Sequence, residues 1–460
     1  MASPPPPPPP LPPPLLPPSL RPPVLRSFGR RRLLRVLSPL ALLALLAAGC
    51  ARVAAPPPAR ELNVWTLDLA PRFTPYMRRV IAAWERRHPG VTVRWTDVPW
   101  SSVERKLLAS VYARTAPDVV NLNPVFAANL ASRGGLLDLG PVLPAGAADT
   151  YLPAVWEAGR QEGRTFALPW YLTARVSLAN RRLLQQAGLA APPRRWSEVP
   201  AYAETVRRRT GRYALFVTVV PDDSAELLES MVQMDVRLLD GQRRAAFDTA
   251  AGRAAFSFWT DLYRRGLLPR EVVSQGYRRA IELYQAGDLA QVASGPDFLR
   301  NLQTNAPGIA ATTTLAPPIT GPGGATNVAV MNLVVPRQSR LPREAVDFAL
   351  FLTNAENQLA FAEEARVLPS ARQALQRLES RLRQGLPSDP RQRLVEEARL
   401  LSLRTLASGR VLVPATPGLK RLQTILYTQL QRAMLGEIAS DAALRQAAQE
   451  WNRYAAARWP

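Results

Sequence analysis

Between Glu61 and Asn123 the hydrophobic pattern alternates between two periods, and that alternation limits the architectures open to the chain. The stretch "ELNVWTLD" (61–68) reads as a short strand ending at the polar Asp68. Tyr76, Val80, Ile81 and Trp84 then fall at helical spacing over 74–88. Pro89-Gly90 stops that helix, and "VTVRWTDVP" alternates as a half-buried strand. Residues 101–113 read as a second helix, with Ser101 at its cap and Glu104 three residues on. Residues 119–122 form a buried strand that leads into Asn123-Pro124. Strand, helix, strand, helix, strand in this order predicts a parallel sheet covered by helices.

Beyond this point the order changes. "GRTFALPWYLTARVSLANRRLL" reads as a hairpin-like pair of strands followed by a short helix, and "RWSEVPAYAETVRRR" as another helix. "YALFVTVV" is a strand that ends at Pro221-Asp222-Asp223. "AIELYQAGDLAQVASGPDFL" gives helix, turn and strand up to Gly295-Pro296, and "NVAVMNLVVP" is a further strand. From Leu341 onward the pattern is almost wholly helical, and no repeat recurs at fixed spacing.

The amino terminus is of another kind. Residues 1–23 are a proline tract that cannot join a packed core. Five arginines between Arg26 and Arg35 then precede an apolar run of about 13 residues, the layout of a secretory signal and too short to span a bilayer permanently. The run ends in Leu46-Ala47-Ala48-Gly49-Cys50, which looks like a bacterial lipobox and carries the chain's single cysteine. Cys50 is therefore the expected lipidation site, and the proline-rich residues 51–60 are an extended tether.

The net charge of +22 would suggest nucleic acid or an acidic membrane surface. Six of those charges lie in residues 1–49, and the arginines elsewhere are dispersed among acids with no run longer than three. Nucleic acid is not an expected partner. Catalysis is hard to assemble, since His88 is the only histidine and sits at a helix end, and metal sites lack ligands. Asp222-Asp223 is the obvious carboxylate pair, but adjacent residues point in different directions. No catalytic residue, metal or cofactor is expected.

The aromatic residues say more. Trp65, Trp100, Trp170, Tyr171 and Phe298 lie where strands are expected to end, accompanied by Asp68, Asn123, Thr173, Asp223, Asp297 and Asn332. Ligands of open α/β sheets bind beyond the carboxyl ends of strands. Aromatic faces beside amides and carboxylates suit a sugar. Each aromatic taken singly can equally be core, and Asp68, Asn123 and Asp223 can equally be helix caps.

The segments "AAWERRHPGVTVRWTDVPW", "LLASVYARTAPDVVNLNPVFAANLASRGGLLDL", "GRTFALPWYLTARVSLANRRLLQQAGL", "AGDLAQVASGPDF" and "EAVDFALFLTNAENQLAFAEEARVLPS" resemble the extracellular solute-binding proteins of family one, the sugar-binding proteins of ABC importers. The resemblance implies a two-lobed α/β periplasmic-binding-protein fold of type II, each lobe a mainly parallel sheet flanked by helices, with a hinge between. It implies crossings near 172–175, 328–332 and 372, giving lobe 1 as 60–172 plus 332–372 and lobe 2 as 176–328 plus 376–460. It implies a monomer without enzymatic activity, lipid-anchored in the cell envelope, that captures a sugar or sugar-like solute and delivers it to the transmembrane subunits of an ABC permease. The alternative is a sensing lipoprotein that presents its ligand to a receptor. The cleft positions it carries over are Trp65 to Asp68, Asn123, Tyr171, Thr173, Asp297 with Phe298, and Met331 with Asn332. Thr173 stands where relatives often hold a carboxylate, and Asp297 and Met331 stand where they often hold an aromatic.

Overall fold

The computed structural model describes residues 60–221, 223–413 and 415–459. Cys50, the leader and the tether, together with Asp222, lie outside the described residues.

The first strand–helix alternation forms as its periodicity dictates. β1 (Arg60–Leu67) is followed by α1 (Thr74–Glu85), β2 (Val91–Val98), α2 (Val103–Tyr112), β3 (Val119–Leu122) and α3 (Pro124–Ser132). α1 starts with Pro75 in its first turn, where a missing N–H costs nothing, and buries Tyr76, Met77, Val80 and Trp84. Burial of each such side chain contributes about 1.5–3 kcal/mol. His88 closes this end as packing: it stacks on Trp84 with ring centroids 4.0 Å apart, and its Nε2 lies 3.0 Å from Asp347. β1 pairs in parallel with both β2 and β3.

The expected hairpin after this is not a hairpin. β4 (Leu168–Ala174) and β5 (Val176–Asn180) belong to different sheets, with Arg175 alone between them. The chain runs on through α4 (Glu226–Gln233), α5 (Tyr277–Gln285), β6 (Gln291–Ser294), α6 (Phe298–Asn305), β7 (Thr313–Ala316) and β8 (Thr326–Val334). α7 (Ala355–Ala365), β9 (Leu368–Pro369), α8 (Arg372–Gln384), α9 (Pro390–Thr405), α10 (Leu419–Met434) and α11 (Ser440–Arg458) complete it.

The large sheet has the order β9-β4-β8-β3-β1-β2, with β8 antiparallel to both β3 and β4. The small sheet has the order β6-β5-β7, with β5 antiparallel to both neighbours. Its middle strand is thus reversed relative to the mainly parallel sheet expected for that lobe. "YALFVTVV" extends this sheet only at its start, where Tyr213 and Ala214 hydrogen-bond to the chain entering β6. The remainder is buried but leaves the ladder.

Separate cores follow from the two sheets. One gathers around β5, α10 and α11, with Trp259, Leu426 and Trp451 at its centre. The others lie on the two faces of the large sheet, around Trp84 and Phe348 and around Leu122 and Phe126. β8 lies in the large sheet from Thr326 on, so the second crossing falls before Thr326 rather than at 328–332. The third is not at Arg372 either. Leu378 and Leu382 of α8 pack with Leu172, Val330 and Leu368 of the large sheet. α9 makes the transition, with Val395 and Ala398 in the small-sheet core and Leu403 on the large-sheet side.

Candidate functional site

Three loops at the carboxyl ends of β1, β2 and β3 are tied by short polar side chains. Asp68 adopts φ +50° and its Oδ2 accepts the Trp100 N–H at 2.8 Å. Asp97, at the end of β2, accepts from Thr66 Oγ1 at 2.7 Å and from the N–H groups of Leu69 and Ala70 at 3.1 and 2.9 Å. Asn123 accepts the Phe126 N–H at 2.9 Å and caps α3. Trp65 is half-buried against the core beside β3. Of this group, the carboxylate of Asp68 and the amide oxygen of Asn123 are thus engaged in building loops. Asp97, which the sequence reading did not single out, holds the β1 loop in shape.

β4 forms the adjoining wall. Met331 pairs with Tyr171 and Asn332 with Pro169, so a register shift skips Trp170, and Trp170 and Tyr171 differ in exposure although both reach Phe361. Trp170 is fully buried and stacks on Phe361 with centroids 5.0 Å apart. That corrects its expected place in the cleft: it is core. Tyr171 is half-buried, 5.3 Å from the Phe361 ring, and opposite Met331 in register. Burial first, then the negative charge of Asp297, raises its pKa. Thr173 is half-buried two residues on. Asn332 follows a register shift after Met331 and is 1 % exposed, its Oδ1 without a partner among the described residues. It borders a void of about 20 Å³, too small for a sugar ring.

The small-sheet side brings Asp297 towards this wall. Its side chain folds over Gly295, where a Cβ would lie 2.4 Å from Oδ1. Solvent reaches Asp297, yet its surroundings are crowded enough that desolvation raises its pKa, against the pull of its own helix-end N–H groups and Arg72. Arg72 lies in the loop after β1, so its charge acts from the opposite sheet. Phe298 begins α6 and is 6 % exposed in the small-sheet core, which corrects its expected contact with ligand. Asp223 accepts the Tyr277 N–H at 2.6 Å and so caps α5. Gly276 leaves it room, since a Cβ there would lie 2.2 Å from Asp223 Oδ1.

Residues 70–359 match the family described as bacterial extracellular solute-binding protein. The chain belongs to this family. It is 66 % identical to a candidate oligosaccharide periplasmic-binding protein from Synechococcus sp. MITs9220, covering 87 % of this chain and 100 % of that one, with a TM-score of 0.83. A sugar-binding protein from Xanthomonas citri shares the fold at 23 % identity over 86 % of this chain and 98 % of that one, with a TM-score of 0.70. An uncharacterised lipoprotein from Streptomyces antibioticus is 27 % identical over 350 residues, 74 % of this chain and 77 % of that one. The type II two-lobed fold expected from the resemblance is therefore the fold of this family member, and the family is one of binding proteins.

At the first crossing of this solute-binding protein lies a charged group that the sequence reading passed over. Arg175 Nη1 stands 3.4 Å from Glu229 and 3.7 Å from Glu226, both on α4. Asn327, at the start of β8 just past the second crossing, donates to Glu229 at 2.7 Å and accepts the Leu412 N–H at 3.1 Å. One amide thereby joins three passages of chain. Burial is the main cause that pushes Glu226 up to about 7, offset by Arg175 and reinforced by Glu229. Arg175, its pKa raised first by Glu229, keeps 35 % of its side chain exposed, so water screens the pair. Gln291, 3 % exposed, borders a void of about 60 Å³ that Arg175, Glu226 and Glu229 also line. A lone arginine one residue past a strand end was the available sequence signal. What hid it was that its partners lie more than fifty positions away.

Proposed function

We propose that this protein captures a carbohydrate or sugar-like solute between its lobes and delivers it, from a lipid-anchored position in the cell envelope, to the transmembrane subunits of an ABC permease. The observation that carries the binding half is the confrontation of Tyr171 with Asp297. The carboxylate from the small sheet is near enough to the ring on the large-sheet wall to add to the rise in the Tyr171 pKa that burial causes. Pyranose C–H faces stack on a ring such as Tyr171, and hydroxyls hydrogen-bond to carboxylates. Thr173 and Met331 extend the same wall, while Trp65, Asp68, Asn123, Asp223 and Asn332 support it from behind or from its loops. The Synechococcus relative's name, with its reference to oligosaccharides, agrees. The anchor half rests on Cys50 at the end of its lipobox and on the relative named as a lipoprotein. Division into lobes along the two sheets, with a monomeric chain, completes the reading.

A thermal-shift screen against a neutral and charged sugar panel tests this. A true ligand at 100 times its dissociation constant raises stability by about 2.7 kcal/mol. Tyr171→Ala should then weaken that ligand roughly thirtyfold, about 2 kcal/mol, with an unchanged melting midpoint. A panel without a single hit, or a Tyr171→Ala variant that melts early and binds normally, sinks the assignment.

A further inference from the structure

We propose that two ion pairs along one rim of the cleft form an electrostatic clasp that sets how far the lobes rest closed before ligand arrives. This rests on the two-lobed fold and not on the identity of the ligand. Glu104, in the first turn of α2, meets Lys420, in the first turn of α10, with Nζ 3.0 Å from Oε1 and 3.1 Å from Oε2. Glu162, at the tip of the hairpin over residues 160–165, meets Arg243 at 2.9 Å. In each pair the acid belongs to the large-sheet side and the base to the small-sheet side. Between the lobes near Lys420 lies a cavity of about 360 Å³, bordered by Glu104 and Phe126 on one side and Lys420 and Tyr454 on the other.

Arg243 is held by an aromatic cluster, and the turn before Lys420 packs on the same rings. Gly418, two residues before Lys420, has φ +84°, and a Cβ there would lie 2.8 Å from the Trp459 ring, so the turn into α10 sits close against that ring. The Arg243 carbonyl accepts the Trp451 indole N–H at 2.8 Å, and its guanidinium lies 5.1 Å over Trp459. Two cations on one lobe and two anions on separate elements of the other make contacts that separation of the lobes must break. The charges are exposed, so the attraction falls as salt rises, the screening length being about 10 Å at 0.1 M. Loss of one exposed pair changes the closed-to-open ratio by roughly 1.5- to 5-fold. The apparent affinity for ligand moves with that ratio wherever closure is part of binding.

The test measures the distance between nitroxide labels at Tyr112→Cys and Leu435→Cys, both exposed, in the full Cys50→Ser chain without ligand, at about 20 mM and about 500 mM salt. The expected result is a short-distance population that shrinks at high salt. Glu104→Gln with Glu162→Gln should give the high-salt distribution already at low salt. Glu104→Lys alone should open the lobes, and adding Lys420→Glu should restore them, a rescue that a merely structural role would not show. A double variant that follows the parent at both salts, or a charge swap without rescue, overturns the clasp. Matching near-ultraviolet circular dichroism of every variant keeps misfolding apart from opening.

Discussion

Glu226 is the residue whose protonation is most exposed to the medium. Arg175, Glu229, Tyr277 and Tyr427 are the charged and titratable groups that face it. Its carboxyl sits at about 7 in the folded chain against an ordinary 4.5. A carboxyl raised by folding favours the native state while it is protonated. Its contribution is therefore complete below about pH 4.5 and is lost as pH rises to about 7. Glu226→Gln should remove that loss, flattening the fall in stability between about pH 5 and 7.5 by on the order of 1–3 kcal/mol. Urea unfolding of both chains across that range measures it, and equal slopes would place the titration elsewhere. Nothing in the primary sequence marks Glu226 apart from its neighbours. Its shift comes from burial and from an arginine on another passage of chain.

At the scale of elements, much of the fold was legible and the side-chain roles were less so. β1, β2 and β3 and the helices between them follow from alternation and helical spacing, because each buries one face locally. Asn123 shows where reading stops. A polar residue that ends a strand and precedes a proline fits a ligand contact and a cap equally well, and only the hydrogen bond to Phe126 decides what its oxygen does. Asn123→Ala should cost about 1 kcal/mol of stability and leave ligand affinity unchanged. A titration in which affinity drops and the unfolding midpoint does not would restore Asn123 to the ligand. Glu104 went the other way. It was expected to complete a capping box, yet α2 begins at Val103 with no side-chain cap, which leaves the carboxylate for Lys420. Trp170 and Tyr171 both reach Phe361, and only their burial, invisible in the dipeptide itself, separates the core ring from the partly open one.

For the whole molecule, the proposed function calls for the lobes to close on the ligand, and hinges concentrate such a change at few residues. Scattering from the protein should show a smaller radius with a saturating ligand from the screen than without it, and an unchanged radius would argue against a moving hinge. The sheet order carries a further consequence, for how the chain is made. β8 lies between β3 and β4, although roughly 200 residues separate Leu122 from Thr326. A chain emerging from the ribosome or the export channel thus carries two strands whose shared neighbour has not yet been synthesised. Until Thr326–Val334 arrives, both present unpaired N–H and C=O groups, the template on which foreign strands add. Such distant pairing is also slow to form. The small-sheet lobe, whose three strands precede β8, must then wait for α10 and α11 at the carboxyl end to cover its core. Neither lobe can be finished until well over two thirds of the chain is made, so delivery to the far side of the membrane in an unfolded state forfeits no early domain, and a holding factor that masks those strand edges has its moment of use before Thr326 is out.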